Sequence, residues 1–136
     1  MSSPYYLLDT NICIYITKQK PLSVLKKFES LTPYDVGMSM ITYGELCYGA
    51  TKSNMPQKSE MLLQELIRYI FPLSFPENIA KHYGNSRHFL EKKGLIIGGN
   101  DLWIAAHALA IDAVLVTNNT KEFSRIPHLK IENWVN

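Results

Sequence analysis

The chain has 136 residues, of which 46% are apolar and 19% charged, with a net charge of +2. That length suits one ordinary domain and is short for two, and the balance excludes a disordered or strongly solvating polymer. The small positive excess names no nucleic-acid partner; Lys18, Lys20, Lys26 and Lys27, or Lys81, Arg87, Lys92 and Lys93, could contact phosphates or simply form solvated faces.

Residues 5–8, Tyr-Tyr-Leu-Leu, read as a buried strand that stops abruptly at Asp9-Thr10-Asn11. A helix with Ile12, Ile14, Tyr15 and Ile16 inward follows, and Lys18-Gln19-Lys20-Pro21 breaks it. Pro21 suits the first turn of a second helix carrying Val24, Leu25, Phe28 and Leu31. Val36-Gly37-Met38-Ser39 reads as a strand running into a helix over 41–51, with Glu45 one turn in. An amphipathic helix is expected over 57–70, carrying Met61, Leu62, Leu66, Ile67 and Ile70. Residues 71–75 form a short strand whose Pro72 favours a sheet edge. A long helix over 77–93 stops at Gly94. After a loop over 95–99, an alanine-rich helix begins at Asn100-Asp101 and runs to Leu109. Residues 113–117 are the clearest strand, ending at Thr117-Asn118-Asn119. A helical turn at 121–123 and a weak strand at 129–131 complete the chain, with no internal repeat.

Two embedded cysteines, Cys13 and Cys47, lack the spacing of a zinc or redox site and read as buried reduced thiols. Met1-Ser2-Ser3-Pro4 lacks the charged start and apolar core of a leader, and no stretch is long enough for a membrane span. The expectation is a cytoplasmic protein.

Helices alternating with short apolar strands, without hairpin signals, predict an α/β fold: a central parallel sheet of about five short strands flanked by helices. Parallel strands end on one edge, where ligands bind in open sheets. That edge would receive Asp9, Glu45 with Ser39, Asp101, and Asn119 with Thr117. All are oxygen donors, the set that Mg²⁺ and Mn²⁺ prefer over zinc. Taken singly, Asp9 and Asp101 also read as helix-start carboxylates, and Asn119 as a turn residue. Glu45 is harder to explain, because an unpaired carboxylate among Ile41, Leu46 and Tyr48 is costly unless a cation or donor meets it. His107 reads as a satisfied core histidine, and His82, His88 and His128 have no partner spacing. Trp103 and Tyr43 read as packing residues, and Gly98-Gly99 lacks a phosphate-cradle pattern.

Four segments in order resemble PIN-domain ribonucleases of the VapC toxin type: Leu8-Asp9-Thr10-Asn11; Ser39 through Glu45 to Ala50; Ile97-Gly98-Gly99-Asn100-Asp101 to Ala108; and Leu115-Val116-Thr117-Asn118-Asn119-Thr120-Lys121-Glu122-Phe123. The resemblance covers the chain end to end. It implies a PIN-like fold in one domain over 1–136, and an acidic triad of Asp9, Glu45 and Asp101 serving as catalytic groups and metal ligands. Thr10, Asn11, Ser39 and Thr117 match the supporting polar positions. Asn119 stands where many members carry a fourth acid, which would weaken a second metal site; Glu122 is either a substitute donor or an exposed surface residue.

The implied activity is metal-dependent endoribonuclease chemistry with Mg²⁺, or Mn²⁺, acting on RNA, with tRNA and initiator tRNA the expected substrates. The implied partners are a second copy of the chain and a small VapB-like antitoxin, through which the pair binds operator DNA. Antitoxin contacts are expected on the helices after Pro21 and Pro56. Two rival classes use the same residues: a metal-dependent DNA nuclease or phosphatase, and an RNA-binding module with a degenerate site. The complete triad disfavours the second.

Overall fold

In the computed structural model, which describes residues 5–136, five short strands form one parallel sheet. They are β1 (Tyr6–Leu8), β2 (Val36–Ser39), β3 (Phe71–Leu73), β4 (Val114–Val116) and β5 (Lys130–Glu132), in the spatial order β3-β2-β1-β4-β5. Residues 1–4, read from sequence as lacking a leader, lie outside the described residues.

Parallel neighbours require crossovers. Among the described residues these come from α1 (Thr10–Lys18), α2 (Leu22–Glu29), α3 (Met40–Thr51), α4 (Pro56–Leu66), α5 (Ile79–Lys93), α6 (Gly99–Ala110) and α7 (Thr120–Phe123). Tyr6, Leu8, Val36, Met38 and Val116 pack to one side with Ile12, Val24 and Leu63, drawn from α1, α2 and α4. Leu7 and Leu115 pack to the other side with Leu90, Ile104 and Phe123, drawn from α5, α6 and α7. Both faces are therefore dry, which is why β1 is apolar at every position instead of alternating.

Helix ends follow local chemistry. Gln19 closes α1 in the left-handed region, and Gly94 does so for α5 at φ 68°. The helix expected over 57–70 is cut at Leu66. There the Arg68 and Tyr69 amides reach carbonyls three residues back, at 3.3 and 3.0 Å, and the tightened turn delivers Ile70 to the core. Pro72 lies in edge strand β3, where a missing amide is tolerated. Alanines on α6 are fully buried at 105, 106 and 108, bringing its backbone close to its neighbours. Cys13 is buried and Cys47 half-buried, so the expectation of two buried thiols holds for the first alone. No helix among the described residues is long and apolar enough to cross a membrane.

Candidate active site

Strands β2 and β3 lie to one side of β1, and β4 and β5 to the other, so the β1–β4 junction is the switch point beyond whose strand ends open parallel sheets bind ligands. Asp9 follows β1 directly, and its amide bonds the Val116 carbonyl of β4 at 3.0 Å. Its Oδ1 accepts the Ile12 amide at 3.0 Å, so it does cap α1, yet at 6% exposure it also lies close enough to Glu45 for the two charges to interact. Burial raises its pKa. Hydrogen bonds from Thr117 and from the Ile12 and Asn11 amides pull it back, and the charge of Glu45 pushes it up again.

Glu45, on α3, is half-buried. The Thr10 hydroxyl donates to its Oε1, and the Asn100 side-chain amide donates to Oε2 at 3.3 Å. Two donors thus meet the carboxylate that looked stranded in an apolar face. Thr10 also lies 3.4 Å from the Thr42 hydroxyl, tying α1 to α3. Asp101 occupies the first turn of α6, and its pKa is pushed up to about 6, first by burial and then by the charges of Asp9, Glu45 and Glu122.

The supporting positions divide. Ser39 is fully buried, caps α3 by accepting the Ile41 amide at 3.2 Å, and lies 3.0 Å from His107 Nδ1. Thr117 is also fully buried, and its oxygen accepts the Asn119 amide at 2.9 Å. Asn11 is exposed and reaches Asp9 through its backbone alone. Asn119 turns its side-chain amide to Glu122 Oε2 at 2.8 Å. Glu122 itself is half-buried and bears electrostatically on Asp101, so an exposed surface role does not describe it. Its signal in the sequence is the three-residue spacing from Asn119 at a helix start. Asn100 offers no signal of its own in the sequence beside the charged Asp101. His107 is buried as expected, but only one of its ring nitrogens is bonded.

Among the described residues, no three carboxylate, imidazole or thiol groups stand close enough to grip one ion unaided. Mg²⁺ takes one or two protein carboxylates and keeps its waters, whereas a structural zinc needs a closed nitrogen or sulfur cage. Crowded carboxylates that raise one another's pKa are what a divalent cation relieves. The donor set therefore fits a partly hydrated hard cation. A groove of about 750 Å³ runs from Glu45 past Met40, Tyr48, Lys52 and Asn100.

The PIN domain family matches residues 6–129. The chain is 44% identical over 130 residues to Ribonuclease VapC2 of Rickettsia felis, covering 95% of this chain and 97% of that protein. It is 39% identical over 129 residues to the tRNA(fMet)-specific endonuclease VapC of Shigella flexneri, covering 95% and 97%. The crystal structure of DNA-bound VapBC from Salmonella typhimurium contains a chain that matches with a TM-score of 0.90 at 38% identity, over 97% of this chain and 99% of that one. By sheet order, by the acids gathered at its switch point and by likeness along almost its whole length, the chain belongs to the PIN-domain family, among its VapC-type ribonucleases.

Proposed function

We propose that the chain is the toxin of a VapBC-type toxin–antitoxin pair, an endoribonuclease that uses Mg²⁺, or Mn²⁺ in its place, to hydrolyse phosphodiester bonds in tRNA, initiator tRNA first. The observation that carries this reading is the gathering of Asp9, Glu45, Asp101 and Glu122 at one strand edge, close enough for three of them to raise the pKa of Asp101. The names of its relatives supply the substrate class.

Asp9 and Asp101 would hold the cation, with Glu45 reaching it through water, since Glu45 is already engaged by Thr10 and Asn100. When bound, the cation supplies Lewis-acid stabilisation of phosphate charge and acidifies water in its shell. Glu45 is the group available to orient the attacking water and accept its proton. Thr117 and the Ile12 amide hold Asp9 in place and favour its ionised form against the burial that raises its pKa. Glu122, steadied by Asn119, stands in for the fourth acid that the sequence lacks at 119.

The partners we propose are a VapB-like antitoxin seated on exposed apolar residues, a second copy of the chain, and operator DNA held through the antitoxin; the DNA-bound VapBC complexes among its neighbours support the antitoxin and the DNA. We place the protein in the cytoplasm and read residues 6–129 as one PIN domain. The test is cleavage of total tRNA by wild type and Asp9→Asn in Mg²⁺, in Mn²⁺ and with chelator, beside single- and double-stranded DNA and a small phosphoester. Metal-dependent RNA cuts lost in the variant support the reading. Equal cutting by both proteins sinks it, and preferential cutting of DNA or the phosphoester replaces it.

A further inference from the structure

We propose that His107 is a positioning residue for the acidic site: its buried hydrogen bond to Ser39 sets the spacing of the two helices that carry Glu45 and Asp101. The inference rests on the reading of those two carboxylates as working groups.

His107 has no exposed surface, and Nδ1 lies 3.0 Å from Ser39 Oγ. Ser39 already accepts the Ile41 amide, so its hydroxyl proton is free to go to Nδ1. Nε2 has no partner among the described residues. A leucine or phenylalanine would fill this space without burying an unpaired ring nitrogen, which is destabilising. What the histidine offers that an apolar residue cannot is the bond to Ser39.

The placement of that bond gives it a purpose. Ser39 stands six residues before Glu45, and His107 six residues after Asp101, so each lies about 9 Å along its helix from the acid it serves. Farther along α3, Asn100 meets Glu45 at 3.3 Å. The pairs Ser39–His107 and Glu45–Asn100 mean that α3 and α6 pass in opposite senses, cross-linked at two points, the cap and the middle of α3. The outer tie is exposed and can yield when a ligand claims Glu45. The inner tie is sealed, packed edge-on against Phe75 at 72° between ring planes, and has no competitor. Without it α6 can shift against α3, carrying Asp101 away from Asp9 and Glu45. Partners outside the immediate ligand shell commonly change metal affinity about 10–100-fold.

The test is Mn²⁺ binding by calorimetry to the wild-type protein and to His107→Asn, His107→Gln and His107→Leu, with thermal midpoints of the metal-free proteins measured alongside. In His107→Asn the new side-chain amide would occupy the Nδ1 position, and in His107→Gln the Nε2 position, so the polar pair separates the bond from simple burial. The expected result is binding within about threefold of wild type for His107→Asn, and weakened about tenfold for His107→Gln and His107→Leu. Equal affinities for the Asn and Gln variants, or wild-type affinity in all three, would overturn the proposal whatever the thermal midpoints do. Asp101→Asn separates the two layers: if it binds Mn²⁺ as well as wild type, the site reading fails and the tie's purpose with it. If it loses Mn²⁺ while His107→Gln keeps it, only the tie fails.

Discussion

Asp101 is the side chain on which the site's electrostatics converge. Its folded pKa of about 6 lies above the ordinary aspartate value of 3.8. Between those values the native state holds a proton that the unfolded chain has lost, so stability falls as pH rises through this window, and the penalty is full above about pH 6. Asp101→Asn should therefore stabilise the metal-free protein near neutral pH by about 1–2 kcal/mol once solvent screening is allowed for, seen as a raised thermal midpoint, and match wild type near pH 4. Calorimetric melts at both pH values check this. The same proton competes with a cation, so Mn²⁺ affinity should weaken below about pH 6; unchanged affinity across that range would contradict the assignment. For Glu122→Gln the expected outcome is a roughly tenfold higher Mg²⁺ concentration for half-maximal tRNA cleavage. Asn119→Ala, which leaves the charge but frees it, should shift that concentration less.

The strand-to-helix joints do two jobs at once. Asp9 both caps α1 and interacts by charge with Glu45 and Asp101, and chemistry can separate these roles. Asp9→Asn keeps an oxygen for the Ile12 amide and should hold stability near wild type while abolishing metal binding. Asp9→Ala should lose both, with about 1 kcal/mol of additional destabilisation in urea melts. In β2, a Cβ on Gly37 would press on the Tyr5 hydroxyl and stand 3.2 Å from the Phe71 carbonyl of β3. Tyr5 can swing aside, but the carbonyl belongs to the neighbouring strand's backbone. Gly37→Ala is therefore expected to cost about 1–3 kcal/mol, read in the same melts. Strands and helices were legible in the order of apolar runs, turn residues and caps. Helix ends were less so: α4 stops at Leu66 because Ile70 must turn into the core, a demand that local periodicity does not carry.

Across the molecule, one apolar surface stands apart from the carboxylates. Met55, Met61 and Leu62 are 59%, 73% and 46% exposed around a groove of about 820 Å³ on α4, and Leu22 on α2 is similarly bare. Exposed apolar patches are frequent at interaction surfaces, and antitoxin contacts on the helices after Pro21 and Pro56 remain an expectation that a substitution there can test. Met61→Glu should weaken binding of a VapB-like antitoxin at least tenfold in titration calorimetry, without lowering the thermal midpoint. Unaltered affinity would move the antitoxin to another face.

The sequence by itself determined the class of fold and pointed to three of the acids, Asp9, Glu45 and Asp101, while leaving Glu122 open. Short runs apolar at every position demand a sheet covered on both faces, and polar residues can interrupt them only where the strands end. The partners of those acids were decided by tertiary structure. Glu45 meets Asn100 across 55 residues, and Ser39 meets His107 across 68, contacts set by how α3 and α6 pack together. Glu122 is half-buried because Phe123, 1% exposed, is locked into the core and sets the rotation of α7. Residue type and spacing place a carboxylate at the end of a strand, but its protonation and its partners depend on what packing brings alongside it, and that information is distributed over the whole chain.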